Sequence, residues 1–244
     1  MRITFLGSGD AFSTGGRFHT CLLVETKATR FLIDCGGSAI TAIQQRGVDT
    51  NTIGTIVLTH LHGDHFGGLP YVLLDGQFDR RRTAGLVIAG PPASRSRIAA
   101  MMEALYPGMW ERTWRFPIEV VELAPRTAWQ FDAVAVTPYV VEHAPESTCL
   151  ALRIACGGTT IAYSGDTQWT PALVEAARGT DLFVCECNSY DRAIPGHTDL
   201  PTLVAHRREL ETKRLILTHL GPAMLAHADT LPYEYAVDGL SVTV

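Results

Sequence analysis

The sequence of 244 residues predicts an α/β protein, and three observations predict it. Runs such as "TIVLT" at 55–59, "LVIAG" at 86–90 and "RLILT" at 214–218 are apolar and β-branched without polar alternation, as strands buried on both faces are. Between such runs lie segments with apolar residues at helical spacing, closed by glycine or proline. The segment "TIVLTHLHGD" at 55–64 is echoed by "RLILTHLGPA" at 214–223, a faint sign of two related halves. Apolar residues make up 46% of the chain and charged ones only 18%, so a chain of this length can bury a sizeable core. No low-complexity stretch or linker interrupts it, and one domain over 1–244 is expected.

The elements follow in order. "RITFLG" is a strand that stops at Gly7-Ser8-Gly9. "CLLVET" and "RFLIDCGG" form a hairpin with its turn near Lys27-Ala28-Thr29, and "SAITAIQQRG" is a helix stopped by Gly47. "TIGTIVLTH" is a buried strand, and "GLPYVLLDGQF" starts a helix with Pro70 in its first turn. "GLVIAGPP" is a strand broken by Pro91-Pro92. "SRSRIAAMMEALYPG" is a helix with Ser94 as its expected N-cap and Pro107-Gly108 as its end. In the second half "IEVVEL", "AWQFDAVAVTPYVVEHA", "TCLALRIACGGTTIAYSGDT", "DLFVCEC" and "RLILTHLG" are strand segments, with a hairpin turn at Gly157-Gly158. "TPALVEAARG" and "DLPTLVAHRRELETKR" are helices.

Charge and cysteines exclude some functions. A net charge of −5 provides no field for nucleic acid or an anionic membrane. The basic clusters Arg80–Arg82 and Arg207-Arg208 with Lys213-Arg214 read as solvated surface. Cys21, Cys35, Cys149, Cys156, Cys185 and Cys187 form no C-x-x-C pair and sit in apolar runs, which reads as free thiols in a reducing cytoplasm. The N-terminal apolar residues stop at Leu6 and no later run could span a bilayer, so neither a signal peptide nor a membrane segment is expected.

The chemistry gathers where buried strands end. Ligands in α/β folds collect beyond the carboxyl ends of strands. "TIVLT" delivers His60, His62, Asp64 and His65, "YVVE" delivers His143, "TIAYSG" delivers Asp166, and "RLILT" delivers His219. The alternation His60-x-His62 places both imidazoles on one side of an extended segment, and Gly63 eases a turn before Asp64 and His65. Five imidazoles and two carboxylates exceed what one tetrahedral zinc needs. They suit two metals, a bridging carboxylate and a bridging water. His19, His206 and His227 read as surface or capping residues.

"HLHGDHFGG" resembles the H-x-H-x-D-H motif of the metallo-β-lactamase superfamily, and His143, Asp166 in "YSGDT" and His219 in "LTHLG" match its later motifs in order. The resemblance covers nearly the whole chain and implies a four-layer αβ/βα sandwich with a dinuclear site at one edge. "TFLGSGDAFSTGGR", "HLHGDHFGGLP", "GLVIAGPP" and "SGDT" resemble the tRNase Z-like phosphodiesterase branch, which uses the position of Asp64 as a ligand. "LFVCECNSY…PGHT" is similar to that branch's Glu-containing strand end followed by His-Thr. It carries over Glu186 and His197, although "CECN" stands where the family usually has "HEAT". True tRNase Z carries a long tRNA-gripping arm between the motifs of His143 and Asp166. Here "TCLALRIACGGTTIAYSG" fills that interval and leaves no room for an arm.

The resulting expectation is a hydrolase with two divalent ions, Zn²⁺ first and Mn²⁺ or Fe²⁺ also compatible. His60, His62 and His143 form one site; Asp64, His65 and His219 form the other; Asp166 bridges. A hydroxide between the metals attacks a small phosphodiester such as a cyclic nucleotide. His197, oriented by Glu186, protonates the leaving group. A carbonyl substrate (lactone or thioester), tRNA 3′ processing and a non-enzymatic scaffold are the alternatives. Arg17 and the amides of "GSG" and "TGG" are candidate phosphate contacts, and "STGGRFH" with the segment 76–82 is the expected rim. The expected partner is a small-molecule substrate in preference to tRNA, with no membrane and with a homodimer left open.

Overall fold

The computed structural model describes residues 1–244. In the first half the chain forms β1 (Arg2–Gly7), β2 (Cys21–Glu25), β3 (Arg30–Ile33), α1 (Ala39–Gln45), β4 (Thr55–Val57), α2 (Gly63–Phe66), α3 (Leu69–Leu74), β5 (Leu86–Gly90), α4 (Ser94–Leu105) and β6 (Ile118–Glu122). The second half forms β7 (Trp129–Phe131), β8 (Val134–Val141), β9 (Cys149–Cys156), β10 (Thr159–Tyr163), α5 (Pro171–Ala177), β11 (Leu182–Glu186), α6 (Leu200–His206), β12 (Leu215–Thr218), α7 (Pro222–Ala226) and β13 (Glu234–Tyr235). A last strand, β14 (Ser241–Thr243), returns to the first sheet.

Two seven-stranded sheets result, in the orders β14-β1-β2-β3-β4-β5-β6 and β13-β12-β11-β10-β9-β8-β7. Each begins with antiparallel hairpins and continues with parallel strands joined by helical crossovers. The two sheets share this plan, but the strands that carry the Thr-His-Leu echo, β4 and β12, stand fifth and sixth from the antiparallel ends, so the echo does not mark equivalent strands.

Because the strands are apolar on both faces, three buried layers form. Phe5, Phe31, Ile33 and Val57 from the first sheet meet Leu152, Ile154, Tyr163 and Ile216 from the second. The outer face of the first sheet packs on α1, α3 and α4 through Leu32, Ile56 and Ile88 against Ile43, Leu73 and Met102. The outer face of the second packs on α5, α6 and α7 through Ala162, Phe183 and Leu217 against Leu173, Leu203 and Met224. Each large side chain so buried contributes about 1.5–3 kcal/mol. The layers are helix, sheet, sheet, helix, as expected of the four-layer sandwich.

Some local expectations differ from the structure. Ser94 is the first residue of α4 rather than its N-cap: Ala93, at φ 72°, precedes the helix, and the Ser94 hydroxyl donates to the Pro91 carbonyl. The segment "AWQFDAVAVTPYVVEHA" divides into β7 and β8 because the chain reverses at Asp132, φ 47°. Arg82 is buried, not solvated: its guanidinium donates to the carbonyls of Thr50, Ala84 and Gly85. Arg82 therefore acts as an internal tie, while Phe78, Asp79, Arg80 and Arg81 remain exposed. No helix is long and apolar enough to cross a membrane.

Candidate metal centre

The carboxyl ends of β4, β8, β10 and β12 meet between the sheets, and each ends in polar residues. After β4 the chain stays extended through His62 (φ −86°, ψ 152°) and then enters the single turn of α2. The extended part aims His60 and His62 inward with ring centroids 4.8 Å apart. The helical turn adds Asp64 and His65. This turn lies close against the loop after β3: a Cβ on Gly36 would come within 2.1 Å of the Asp64 carbonyl oxygen, so only glycine fits there.

The seven predicted side chains form two groups. Ligand atoms of His60, His62 and His143 lie within 4.8 Å of one another, and so do those of Asp64, His65, Asp166 and His219. Asp166 faces both groups. It lies 3.2 Å from His65 Nε2 and from His219 Nε2, 3.9 Å from His143 Nε2 and 4.0 Å from His60 Nε2. Asp64 Oδ2 lies 3.3 Å from both His65 Nε2 and His219 Nε2, and His62 Nδ1 lies 3.0 Å from His143 Nε2. Two ligands about 2.1 Å from one tetrahedral ion stand about 3.4 Å apart. The close spacings in each group match that figure.

Unpaired buried atoms point the same way. His60 Nε2, His65 Nε2 and Asp166 Oδ1 are buried and make no hydrogen bond. Leaving such groups unsatisfied costs about 1–3 kcal/mol each, so a partner is expected. Imidazoles and carboxylates converging in this way could hold a divalent transition metal.

A layer of hydrogen bonds behind these groups sets their orientation. His65 Nδ1 lies 2.7 Å from Asp34 Oδ2, His143 Nδ1 lies 2.8 Å from the Gly196 carbonyl, and His60 Nδ1 lies 3.1 Å from Thr59 Oγ1. Each contact uses one ring nitrogen and leaves the other for the centre. Gly196 is at φ 80°, and a Cβ there would sit 2.7 Å from the His143 carbonyl oxygen. Asp34 also accepts from the Thr59 amide at 2.8 Å and from the Thr59 hydroxyl. It is fully buried with φ 58°. His219 is likewise left-handed, φ 59°, held by its amide donating to the Ser8 carbonyl and by Asn188 Nδ2 donating to its own carbonyl. Strain of this kind, on the order of 1–3 kcal/mol per residue, persists only where surrounding bonds enforce it.

The electrostatics of the centre call for a cation. Burial opposes charge on Asp166, yet His219 and His65 hold its carboxyl well below the usual range. Burial also opposes charge on Asp64, and His65 and His219 again hold it far down. Burial lowers the His219 pKa, but Asp166 and Asp64 outweigh it and lift it to about 9. Negative charge here is met by protons on imidazoles, and a divalent ion displaces such protons. His60 differs: burial and the neighbouring His65 push its pKa well down, so it stands neutral with a free lone pair.

His197 stands on the same wall. Its ring centroid is 4.8 Å from that of His143, and its Nδ1 lies 3.1 Å from both oxygens of Glu186. Burial first, and then the Asp166 charge, raise the Glu186 pKa against the pull of His197, and Glu186 raises that of His197 against the effect of burial. A cavity of about 390 Å³ opens over His62, Asp64, His143, Asp166, His197 and His219. Its rim is Asp10, Ala11 and Phe12 on one segment and Ile194 and Pro195 on another, not the expected "STGGRFH" and 76–82. Arg17 does not line it. The guanidinium donates to the Ala236 carbonyl and the Ser8 hydroxyl, and the Ser8 amide is taken by Asp238. His206 stacks on Trp169 and His227 on Tyr190, away from the centre, as expected of surface residues.

Sequence reasoning missed Asp34, Thr59 and Phe12. An available signal for Asp34 was a carboxylate closing the apolar run "RFLI" directly before Cys35-Gly36-Gly37.

The family model described as "Anti-Pycsar protein Apyc1" matches residues 1–234. The chain is similar to Ribonuclease Z of Mycobacterium marinum, 27% identical over 246 residues that cover 93% of this chain and 88% of that protein. Its fold is similar to that of human tRNase Z, short form, with a TM-score of 0.81 at 22% identity over 100% of this chain and 99% of that one. A diphosphatase from the PhnP family gives a TM-score of 0.79 at 21% identity over 100% and 97%.

Proposed function

Since the chain belongs to the Anti-Pycsar protein Apyc1 family, in the tRNase Z-like branch of the metallo-β-lactamase superfamily of metal-dependent hydrolases, we propose that it is a dinuclear phosphodiesterase acting on a small phosphodiester, a cyclic nucleotide for example. The family's description names a role against Pycsar, and the proposal carries that role to this chain. One domain, residues 1–244, performs the reaction. The observation that carries the reading is Asp166 facing two groups of ligands at 3.2–4.0 Å.

His60, His62 and His143 would hold one ion and Asp64, His65 and His219 the other, with Asp166 facing both groups. Zinc suits the nitrogen and oxygen donors, and Mn²⁺ or Fe²⁺ accepts the same set. Bound there, the ions supply Lewis acidity and lower the pKa of water toward neutrality. The remaining work falls to the chain. Asp34, Thr59 and the Gly196 carbonyl hold three imidazoles in one tautomer. His197 keeps a proton on Nε2, while Glu186 fixes its Nδ1, and it delivers that proton to the leaving alkoxide. Glu186 lacks the exposure to touch substrate and acts through His197.

Size argues for a small substrate. The cavity is about 390 Å³, the interval from His143 to Asp166 is occupied by the β9–β10 hairpin, and Arg82 is committed to backbone carbonyls. The name Ribonuclease Z on the relative brings RNA in as the competing substrate. Free cysteines throughout fit a cytoplasmic protein, and a homodimer is compatible with the proposal. The test sets bis-p-nitrophenyl phosphate and a cyclic nucleotide against precursor tRNA and a lactone panel, with one metal-loaded preparation at physiological salt. Hydrolysis of the small diesters is expected. Efficient cleavage of the tRNA or the lactones, with the small diesters untouched, refutes the proposal.

A further inference from the structure

We infer that Phe12 is the specificity-determining residue of the cavity, an aromatic platform on which a flat ring of the substrate's organic group stacks. The inference rests on the phosphodiesterase reading for the position of the phosphate, and it adds which part of the substrate the chain reads and with what.

Phe12 is 88% exposed, the most exposed large apolar side chain of the protein. It joins none of the three apolar layers and pairs with no other aromatic ring. A single exposed phenylalanine is ordinary on a surface. This one lines the cavity whose floor is the metal-centre cluster, beside the apolar Ile194 and Pro195. Its backbone is also unusually well held for a loop tip. The buried carboxylate of Asp10 accepts from the amides of Phe12 at 3.2 Å and Thr14 at 2.9 Å, and from the Thr14 hydroxyl at 2.7 Å. Ser13 follows at φ 52°, its amide bonded to the Asp10 carbonyl at 3.1 Å.

The loop is therefore built by Asp10, Ser13 and Thr14, and the Phe12 ring contributes nothing to building it. A ring carried by a well-held backbone at the mouth of the cavity, with no partner inside the protein, offers its face to whatever enters. The polar floor recognises phosphate and cannot distinguish what the phosphate carries. A planar heteroaromatic group, such as the base of a nucleotide, gains dispersion and desolvation against the ring, and an aliphatic group gains less.

The test measures equilibrium binding of a nucleoside 5′-monophosphate and of ribose 5-phosphate to the metal-loaded full chain. These ligands share the phosphate and sugar and differ by the base. Stacking predicts tighter binding of the nucleotide by roughly 5- to 150-fold. Phe12→Ala should erase the difference, Phe12→Trp should keep it, and Phe12→Leu should keep only part. The melting temperature should stay the same in all three, since the ring packs on nothing. Equal affinity of wild type for the two ligands, absence of binding by either, or a Phe12→Ala variant that keeps the preference overturns the inference. A Phe12→Ala variant that alters only oligomeric state does so too, by assigning the ring to a contact between copies. Failure of the phosphodiesterase reading registers elsewhere, as wild-type protein that cleaves lactones and no phosphodiester.

Discussion

Asp34 touches no part of the cavity, yet its replacement should weaken metal binding more than any change on the surface. The carboxylate is fully buried at φ 58° and receives the Thr59 amide, the Thr59 hydroxyl and His65 Nδ1. Asp34→Ala leaves three buried donors without an acceptor, at about 1–3 kcal/mol each, and puts an alanine in a left-handed conformation at about 1 kcal/mol more. A total of about 4–10 kcal/mol approaches the whole stability of a typical domain, so this variant should fold poorly. Asp34→Asn is the informative change. Asparagine tolerates the left-handed backbone, and its carbonyl still serves Thr59. Its amide then faces the N–H on His65 Nδ1, donor against donor, and the support for that imidazole is gone. Loss of a hydrogen bond to a charged group of this kind costs about 2 kcal/mol, or about 4–8 °C in melting temperature at this chain length. Loss of such an outer partner typically lowers metal affinity about 10- to 100-fold. Competition against a chelator of known affinity measures the second effect, and thermal melts of metal-free protein measure the first. An Asp34→Asn variant that holds metal within about two-fold of wild type would refute the reasoning about the hydrogen-bonded layer.

Two further outcomes follow from the same geometry. His197→Ala should keep its metal and lose turnover on diesters with poor leaving groups, while the loss shrinks for p-nitrophenolate, which departs without a proton; equal losses on both substrates would remove the general-acid role. Metal affinity should rise with pH. Burial works against the proton on His219, but Asp166 and Asp64 hold its pKa at about 9, and Asp166, Asp34 and Asp64 likewise raise that of His65, so at neutral pH a metal must displace protons from both rings. Dissociation constants measured from neutral to alkaline pH should fall as pH rises, with proton release visible as a buffer-dependent heat; a flat profile contradicts this.

The side chains that converge in the candidate centre were legible in the sequence because they are polar residues set directly after apolar strands, a juxtaposition that packing does not explain. His60, His62, Asp64 and His65 stand in one short motif, and His143, Asp166 and His219 each follow a strand. The strands themselves were legible for the same reason, since burial on both faces removes polar residues from them. Asp34 and Thr59 were not, because their importance lies in a bond to a side chain some 25 to 31 positions away, which no local pattern encodes. Arg82 misled in the opposite direction. Three adjacent arginines look solvated, and only the fold reveals that one of them turns inward to tie Thr50 to Gly85. Phe12 was passed over because an aromatic residue in a glycine-rich opening looks like core until its exposure is seen. Strands β13 and β14 are short, and their pairing depends on partners at β12 and β1, so nothing nearby in the sequence marks them.

The most direct test of the account is hydrolysis of bis-p-nitrophenyl phosphate as metal is returned stepwise to stripped protein. Activity should climb until two equivalents of metal are bound per chain and then stop, and Asp166→Ala, which removes the carboxylate facing both groups, should never reach that level. Full activity in stripped protein, or a plateau at one equivalent with Asp166→Ala still active, would contradict a centre built from two ions.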